Sequence, residues 1–357
     1  MTVFSRPGTS HNLSMGIVGL PNVGKSTLFN ALTLQSVPAE NFPFCTIAPE
    51  EGRVEFKDER FDFLVDLYKP SSKIPAYLTI FDIAGLIKGA YKGEGLGNQF
   101  LDHIRRTDGI FHVVRCFDDT KVIHVDGDTN PLRDVKIIKD ELRFKDLEMV
   151  ENQMNAHKRA TVTDPIKKKF ETETYKKLKD ILDEKWANEV EWTQDEANFV
   201  STLNLLTTKE MIYLANISED DFNNNIENKH LKTLMNAEKN VLKFSATNLC
   251  DNFIKSMIKY GYKSLGLINY FTAGPKEVKS WTIRAGTKAP KAAAVIHSDF
   301  EKHFIKAEVM SFDDLKKYGN EQNTKKAGKY LQKGRDYVVE DGDIIYFKTG
   351  QVSKKKK

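Results

Sequence analysis

Long apolar runs are missing from this chain of 357 residues. No stretch approaches the ~18 apolar residues that a membrane-spanning helix needs. The first residues, MTVFSRPGTSHNLS, also lack the apolar segment of a secretory signal. We therefore expect no membrane partner, and we interpret residues 1–14 as an N-terminal extension.

Cysteine is scarce, since the chain has only Cys45, Cys116 and Cys250. The number is odd, the three are far apart, and no pair has the spacing of metal ligands. This argues against a disulfide framework and against a cysteine metal site. We expect reduced thiols and a cytoplasmic protein.

A strong excess of one charge is absent as well. The formal net charge is +4, and the last four residues, Lys354 to Lys357, are all lysine, so the rest of the chain is close to neutral. A whole-protein basic footprint for nucleic acid is thereby excluded, and no DNA partner is expected. Any RNA-binding surface must be local. The basic tail at 349–357 is either simply hydrated or a contact with ribosomal RNA.

What the chain does have is an alternation of short apolar runs with helical patterns, which predicts an α/β fold with a mostly parallel sheet. Ligands of such sheets bind at the carboxyl ends of the strands. The predicted buried strands are MGIVGL, AYLTIFDIAG, GIFHVVRCF, KEMIYLANIS and NVLKFSA.

Two further regions differ in character. Residues 135–205 are rich in Lys, Glu and Asp, with apolar residues at helical spacing. They predict either an exposed arm of two antiparallel helices or an ordinary helical subdomain packed on the sheet. Residues 266–348 contain the strand patterns EVKSWTIRAG, HFIKAEVMSF and DYVVEDGDIIYFK, which indicate a separate α+β module. The nucleotide-binding domain then spans 15–134 and 206–262.

The segment GLPNVGKST has the spacing of a phosphate loop and lies between a predicted strand and a predicted helix. In that context, backbone N–H groups and the helix N-terminus surround a β-phosphate. Lys25 should contact the β- and γ-phosphates as the main catalytic cation, and Ser26 should bind Mg²⁺. The predicted nucleotide contacts in the loop are Asn22, Val23, Gly24, Lys25, Ser26 and Thr27.

Two more segments complete the predicted magnesium site. Asp82 ends a strand and precedes IAG, so its carboxylate can hold Mg²⁺ through water, while the N–H of Gly85 can reach a γ-phosphate. Thr46, in NFPFCTIAPEEG, is the predicted magnesium ligand of the first switch segment. The glycine-rich stretch that follows Gly85 indicates a switch loop ordered by γ-phosphate.

At this point the chain resembles the Obg-like ATPases, the YchF subfamily of Obg-type P-loop proteins. The resemblance rests on GLPNVGKST, NFPFCTI, DIAGLIKGAYKGEGLGNQFL and FTAGPKEVKSWTIRAGTKAPKAA. It implies a P-loop G domain, a helical coiled-coil insertion and a C-terminal TGS domain with a ubiquitin-like β-grasp. It also implies ribosome binding and hydrolysis of ATP in preference to GTP. One departure is that the chain after FSATNLC reaches IKSMIKYGY sooner than the family pattern does.

The base-reading segment departs from that of GTPases. Where those end a strand in Asn-Lys-x-Asp, this chain has Asn216, Ile217, Ser218 and Glu219. Asn216 can still bind the purine N7, Ile217 can pack on the base, and Glu219 carries its carboxylate one methylene further out than Asp. In the alternative interpretation, Ser218 and Glu219 only cap a helix. Ser245 and Ala246 match the last guanine-site motif, and the residues alone favour relaxed or ATP-leaning specificity.

The catalytic glutamine of small GTPases is also missing, because Leu86 stands in its place. Asn22 could ligate a monovalent cation such as K⁺, or it could only shape the loop. Arg105 and Arg106 are interpreted as surface or packing residues rather than as an arginine finger. The resemblance aligns His124 with a histidine that helps to position water, although a histidine after a strand is more often structural.

Overall fold

The computed structural model describes residues 4, 13–34, 51–83, 96–118, 128–159 and 164–350. Within them, a first sheet of six strands has its neighbours parallel, except for one antiparallel edge strand. Its strands, in spatial order, are β2 (Glu51–Glu55, the antiparallel edge), β4 (Tyr77–Asp82), β1 (Ser14–Val18), β5 (Gly109–Arg115), β6 (Glu210–Asn216) and β7 (Val241–Phe244). The five strands predicted for this sheet are therefore confirmed.

Helices accompany this sheet in the alternating order that the sequence predicts. Side chains from its strands and from several of these helices form one large apolar core. Because five strands run parallel, their carboxyl ends meet at one edge of the sheet. The helices of this part of the chain are α1 (Lys25–Leu34), α2 (Glu59–Tyr68), α3 (Leu96–Arg105), α4 (Pro131–Arg159), α7 (Glu219–Asn223), α8 (Lys229–Ala237) and α9 (Asp251–Ser264).

The helical insertion is partly a subdomain packed on the sheet and partly a pair of antiparallel helices with an apolar cluster of its own. The first half of α4 packs Val135, Ile138 and Leu142 into the core of the sheet. Its second half runs against α5 (Pro165–Leu182), and with α6 (Gln194–Thr202) it closes a separate apolar cluster that contains Trp192. Two short 3-10 helices, Ala187–Glu189 and Leu206–Thr208, lie on either side of α6.

Arg105 ties this insertion to the sheet domain. Its guanidinium lies 3.9 Å from the carboxylate of Asp146, which is fully buried in α4. Asp146 also accepts hydrogen bonds from the backbone N–H groups of Leu206 and Thr207, at 3.0 and 2.7 Å. Arg105 is thus a packing residue, as predicted from the sequence.

The second sheet is mixed and also has six strands among the described residues. In spatial order these are β11 (Leu331–Lys333), β10 (Phe304–Ser311), β12 (Asp343–Thr349), β8 (Leu267–Ala273), β9 (Glu277–Arg284) and β3 (Ser72–Ile74). Helix α10 (Ala289–Ile296) packs three alanines against one face, with Tyr270 and Ile345. The remaining helices are α11 (Ser298–Lys302), α12 (Phe312–Tyr318) and α13 (Glu321–Lys326).

Residues from the first part of the chain contribute to the second sheet and to its apolar packing. Strand β3, from the first part of the chain, pairs in parallel with β9. On the face opposite α10, Phe61 and Leu64 of α2 share an apolar cluster with residues of β8, β9, β12 and α12. The C-terminal module is therefore in direct contact with the first part of the chain, and deleting it would expose the apolar face of α2.

A partly exposed ion pair reinforces that contact. The guanidinium of Arg60 in α2 reaches both oxygens of Asp341, at 2.9 and 3.2 Å. It also contacts Asp58, the N-cap of the same helix, at 2.8 Å. The two carboxylates raise the pKa of Arg60 against the opposing effect of burial. Asp341 stands in the turn before β12, directly before Gly342, whose φ is +92°.

Candidate nucleotide site

The phosphate loop lies between the end of β1 and the first residue of α1. Two of its glycines are required by close contacts. A Cβ on Gly19 would lie 2.5 Å from the carbonyl oxygen of Val113, and one on Gly24 would lie 2.6 Å from Nδ2 of Asn216. Gly24 also has φ +100°, which L side chains rarely adopt. The loop can follow this path only with glycine at both positions.

Lys25 is held inside this loop. Its side chain is 7% exposed, and its Nζ donates to the carbonyl oxygen of Leu20 at 2.7 Å. Burial lowers the pKa of Lys25 to about 8, against the opposing effect of the Asp82 carboxylate. A phosphate bound in the loop would offset the cost of burying this ammonium group, so the position suits an anion.

The other predicted phosphate-loop residues surround Lys25. Asn22 is exposed in the left-handed region at φ +61°, while Val23 is buried and offers only its backbone. Ser26 and Thr27 are exposed in the first turn of α1, where backbone N–H groups have no helical partner. These are the features that bind phosphate at a helix N-terminus.

Of the residues predicted to hold Mg²⁺, Ser26 and Asp82 lie in the described part of the chain, and both suit that ion. Asp82 ends β4, paired in register with Ile17 near the end of β1, and its carboxylate partly offsets the lowering of the Lys25 pKa by burial. A carboxylate and the Ser26 hydroxyl are the hard oxygen donors that Mg²⁺ prefers, with waters and phosphate oxygens completing the octahedron. Within the described ranges, no group of three or more His, Cys, Asp or Glu side chains forms a dedicated metal cage.

Asn216 links two loops of the site. Its Nδ2 donates to the carbonyl oxygen of Val23, and its Oδ1 accepts from the N–H of Ala246, both at 3.0 Å. The side chain is 4% exposed. The amide therefore fixes the phosphate loop to the segment after β7, and one Nδ2 hydrogen remains beyond the bond to Val23. Sequence reasoning predicted a base contact but not this structural role.

The structure corrects the prediction for Ile217. Its side chain is 1% exposed and belongs to the apolar core, and its N–H donates to the carbonyl oxygen of Phe244 at 2.8 Å. It continues the β6–β7 pairing and turns inward, so it has no surface on which a base could lie. Glu219 is exposed at the first position of α7.

The capping interpretation of this segment is confirmed for Ser218. Its hydroxyl accepts from the N–H of Asp221 at 3.1 Å and caps α7. On the neighbouring loop, the hydroxyl of buried Ser245 lies 3.0 Å from that of Thr247. Ser245, Ala246 and Asn216 thus come together at the carboxyl edge of the sheet, as the motif predicts.

Two buried side chains of β5 were missed because each stands in an apolar run that resembles a plain core strand. Arg115 is 2% exposed, beside Asn216, and its Nε donates to the carbonyl oxygen of Phe117 at 3.0 Å. His112 is 1% exposed, and burial first, then Lys25 and Lys139, lower its pKa to about 3, so it is neutral at physiological pH. His112 is a structural neighbour of the loop lysine.

Several predicted residues lie outside the described part of the chain. They are Thr46, Gly85, Leu86, His124 and the tail from Lys354 to Lys357. Their roles stay predictions. No described helix is long and apolar enough to cross a membrane.

Comparison with known proteins agrees with this geometry. A family model described as 50S ribosome-binding GTPase matches residues 14–154, and the YchF-GTPase C-terminal model, described as a protein of unknown function (DUF933), matches residues 267–350. Obg-like ATPase 1 of Xenopus laevis is 48% identical, with 99% of this chain and 96% of that protein covered. The chain belongs to the Obg-like ATPase (YchF) family.

Other members of the Obg-like ATPase family support the same assignment. The rice relative, from Oryza sativa subsp. japonica, is 48% identical over 95% of this chain and 92% of its own length. The solved structure of the Schizosaccharomyces pombe YchF GTPase superposes with a TM-score of 0.85 at 43% identity, covering 98% of this chain and all of that one. The fold is thus a P-loop G domain with a YchF C-terminal domain.

The alignment with the frog Obg-like ATPase is longer than this chain. It extends over 386 residues, more than the 357 of this chain, so that relative contains segments without a counterpart here. In this structure only residues 245–250 separate β7 from α9, and Cys250 is already the N-cap of that helix. The compact connection fits the departure noted in the sequence.

Proposed function

We propose that this Obg-like protein is a regulatory hydrolase that converts ATP to ADP and phosphate, with GTP as a poorer substrate. The observation that carries the proposal is the buried ammonium of Lys25, which lies within the phosphate loop with exposed Ser26 beside it. Mg²⁺ would be held by Ser26, by Asp82 through water and by Thr46, and would neutralise charge on the β- and γ-phosphates.

The base preference rests on the residues after β6. A guanine reader needs a fixed carboxylate that accepts from guanine N1–H and the 2-amino group, and adenine has neither donor. Here Glu219 is exposed at the start of α7, and Ile217 is enclosed by the core in place of the usual lysine. Neither side chain is arranged as a guanine clamp, which supports relaxed or ATP-leaning specificity.

Competition between unlabelled ATP and GTP for one fluorescent nucleotide tests this preference. We expect ATP to displace the probe at the lower concentration. Tighter binding of GTP by tenfold, or ~1.4 kcal/mol, would instead establish the alternative of a true GTPase.

Hydrolysis should be slow without a partner. Arg105 and Arg115 are held by Asp146 and by the Phe117 carbonyl, so neither is placed as a finger toward phosphate. A missing stabiliser of this kind is worth up to ~10³–10⁵ in rate. Asn22, exposed in the loop, is the proposed ligand for K⁺ in that role. Faster turnover in K⁺ than in Na⁺ at matched ionic strength is expected, and equal rates would remove the proposed cation.

The proposed macromolecular partner is the ribosome, contacted through ribosomal RNA. Its support is a basic surface on the C-terminal domain, formed by exposed cationic side chains next to half-buried tyrosines. The ammonium group of Lys333 lies 5.0 Å from the ring of Tyr337. That of Lys325 lies 4.2 Å from the ring of Tyr330 and is also paired with Glu321 at 2.6 Å. Exposed members of this basic surface are Lys316, Lys317, Lys325, Lys326, Lys329 and Arg335.

Two lysines in the loop GTKAPKAA are less suited to contact RNA phosphate, because each is already paired with a carboxylate. Lys288 is paired with Asp336 at 2.8 Å, and Lys291 with Glu301 at 2.7 Å. Reversing the charge of Lys326 and Lys329 should weaken co-sedimentation with ribosomes and lower its salt dependence. The same change at Lys167 and Lys169, exposed on α5, serves as the control.

An alternative is a nucleotide-gated ribosome-binding module with little hydrolysis of its own. Single-turnover ATP hydrolysis with and without ribosomes separates the two functions. A rate that ribosomes increase supports the regulatory hydrolase, whereas a negligible rate in both conditions supports the binding module.

A further inference from the structure

An open groove of about 600 Å³ lies between α5 and α6, on the surface of the helical insertion. Its volume is within the range of binding sites in proteins. The groove is separate from the candidate nucleotide site, because none of the residues of that site lines it. The lining residues are Lys167, Phe170 and Glu171 of α5 and Asp195, Asn198, Phe199 and Thr202 of α6.

The centre of the groove is aromatic. The rings of Phe170 and Phe199 meet edge to face with their centroids 6.3 Å apart, and both side chains are half-buried. One helical turn before Phe170, the side chain of Ile166 is 83% exposed, more than any other large apolar side chain in the described part of the chain. Residues four apart are neighbours on a helix, so Ile166 extends the apolar surface of the groove. A contiguous apolar patch, unlike a single exposed residue, is typical of interaction surfaces.

The two helices that form the groove run in opposite directions. Lys177, in the second half of α5, pairs with Glu196 near the start of α6 at 2.9 Å. Phe170, two turns earlier in α5, meets Phe199, which is one turn later in α6. The start of α5 therefore lies beside the end of α6.

Because of these directions, charges of opposite sign stand at the two ends of the groove. Lys167, at the start of α5, lies at the end that contains Thr202. Asp195 lies at the other end, about 10 Å from Thr202 along α6 at ~1.5 Å per residue. Both charged residues are exposed, and the side chain of Lys167 remains 66% exposed although its ammonium lies 3.9 Å from Glu171. The groove thus has a positive end, an apolar centre and a negative end.

A surface with this order of charges is complementary to itself. In a two-fold symmetric contact, the same patch is used by both copies, and each pair of contacting residues occurs twice. Two such grooves that face each other with their α6 axes antiparallel bring Lys167 of each copy to Asp195 of the other. The same arrangement brings the two apolar centres together. With the axes parallel, like charges would meet instead.

We propose that this groove binds a second copy of the chain in a two-fold symmetric dimer. Ile166 of each copy packs against Phe170 and Phe199 of the other, and Lys167 pairs with Asp195 across the contact at both ends. Since small interfaces associate weakly, the dimer is reversible and depends on concentration. The contact is independent of the proposed ATP hydrolysis.

The test is sedimentation velocity of the full chain at concentrations from ~2 to ~500 µM. The mass should rise from that of one chain, 40.7 kDa, toward twice that value. We expect a dissociation constant of about 10–200 µM, as a small interface allows. The mass of a single chain at every concentration would overturn the proposal.

One pair of variants locates the contact. Ile166→Asp changes a side chain that is 83% exposed in the single chain, so this variant should fold normally, and its dissociation constant should rise about tenfold or more. Lys176→Glu is the control, because residue 176 is exposed and lies about 180° around α5 from Lys167. The control should dimerise as the unaltered chain does. A dimer that Ile166→Asp leaves intact, or that Lys176→Glu weakens equally, contradicts the assignment.

An exchange of charges tests whether the partner is a second copy. Lys167→Glu and Asp195→Lys should each weaken the dimer about fivefold or more, because each places like charges at both ends of the contact. Combined in one chain, the two changes restore opposite charges across the contact, so the dissociation constant should return to within about twofold of the original value. No recovery in the combined variant would refute the pairing of Lys167 with Asp195 of another copy.

Discussion

The exchange Asn216→Ala isolates the connection between the phosphate loop and the loop after β7. It leaves the carbonyl oxygen of Val23 and the N–H of Ala246 without the partners they have at 3.0 Å. Each unsatisfied buried group costs ~1–3 kcal/mol, so the two together cost about 2–6 kcal/mol. Losses above ~4–5 kcal/mol are exceptional for single exchanges, so we expect about 2–4 kcal/mol.

Two measurements check this value without nucleotide. Urea denaturation gives the loss in free energy of unfolding, and hydrogen exchange reports the amide of Ala246, which should lose its protection. Asn216→Asp keeps the acceptor for Ala246 but places a carboxylate oxygen against the Val23 carbonyl, so it should destabilise at least as much. Asn224→Ala, which removes an exposed bond from Nδ2 to the Asp220 carbonyl, is the control and should cost under ~0.5 kcal/mol.

One result would refute the reasoning. If Asn216→Ala unfolds at the same urea concentration as the unaltered protein but binds nucleotide poorly, Asn216 acts only on the bound base. The assignment of its amide as a structural link would then be wrong.

Three further predictions follow from other contacts. Burial lowers the folded-state pKa of Lys25 to about 8, so between pH 8 and 10.5 the unfolded chain binds more protons at this residue than the folded chain does. The free energy of unfolding of the nucleotide-free protein should therefore rise across that window, relative to that of Lys25→Met. A difference in urea midpoints that does not change with pH would contradict this. Ile217→Lys places an ammonium at a 1% exposed position and should cost more than ~3 kcal/mol, whereas Ile217→Val should cost only ~0.5–1.5 kcal/mol in the same assay. Arg60→Met removes the pairs to Asp58 and Asp341 and should lower the free energy of unfolding by ~1–3 kcal/mol, with exposed Lys57→Met as an unaffected control.

The nucleotide site was predictable from the sequence because its motifs are local. The phosphate loop needs glycines at fixed spacing between a strand and a helix, a pattern that is read along the chain, although the contacts that require Gly19 and Gly24 come from Val113 and Asn216 on other strands. The bond from Asn216 to Val23 was not predictable, because it joins residues 193 positions apart and depends on the order of strands in the sheet. Ile217 was misplaced for a related reason, since an apolar residue after a strand can face either a ligand or the core.

The junction of the two sheets was also beyond sequence reasoning. Strand β3 is only three residues long, with the burial pattern of a surface segment, and its partner β9 begins 203 positions later than Ile74, at Glu277. The pairing of β3 depends on where the second sheet packs, and the sequence around β3 gives no indication of that position. The same holds for Arg60, whose partner Asp341 comes from a turn near the other end of the chain.

The late arrival of β9 has a consequence for how the chain is made. When Ile74 is added to the growing chain, its strand partner is still about 200 residues from being synthesised, which at ~5–20 residues per second is a delay of about 10–40 s. During that time Phe61 and Leu64 of α2 have no second sheet to pack against. We expect released chains that end before Leu267 to be cleaved readily around α2 by added protease, and the released full-length chain to resist. A growing chain of this protein thus carries an unfinished apolar helix through most of its synthesis, and its binding by a chaperone would be most useful in that interval.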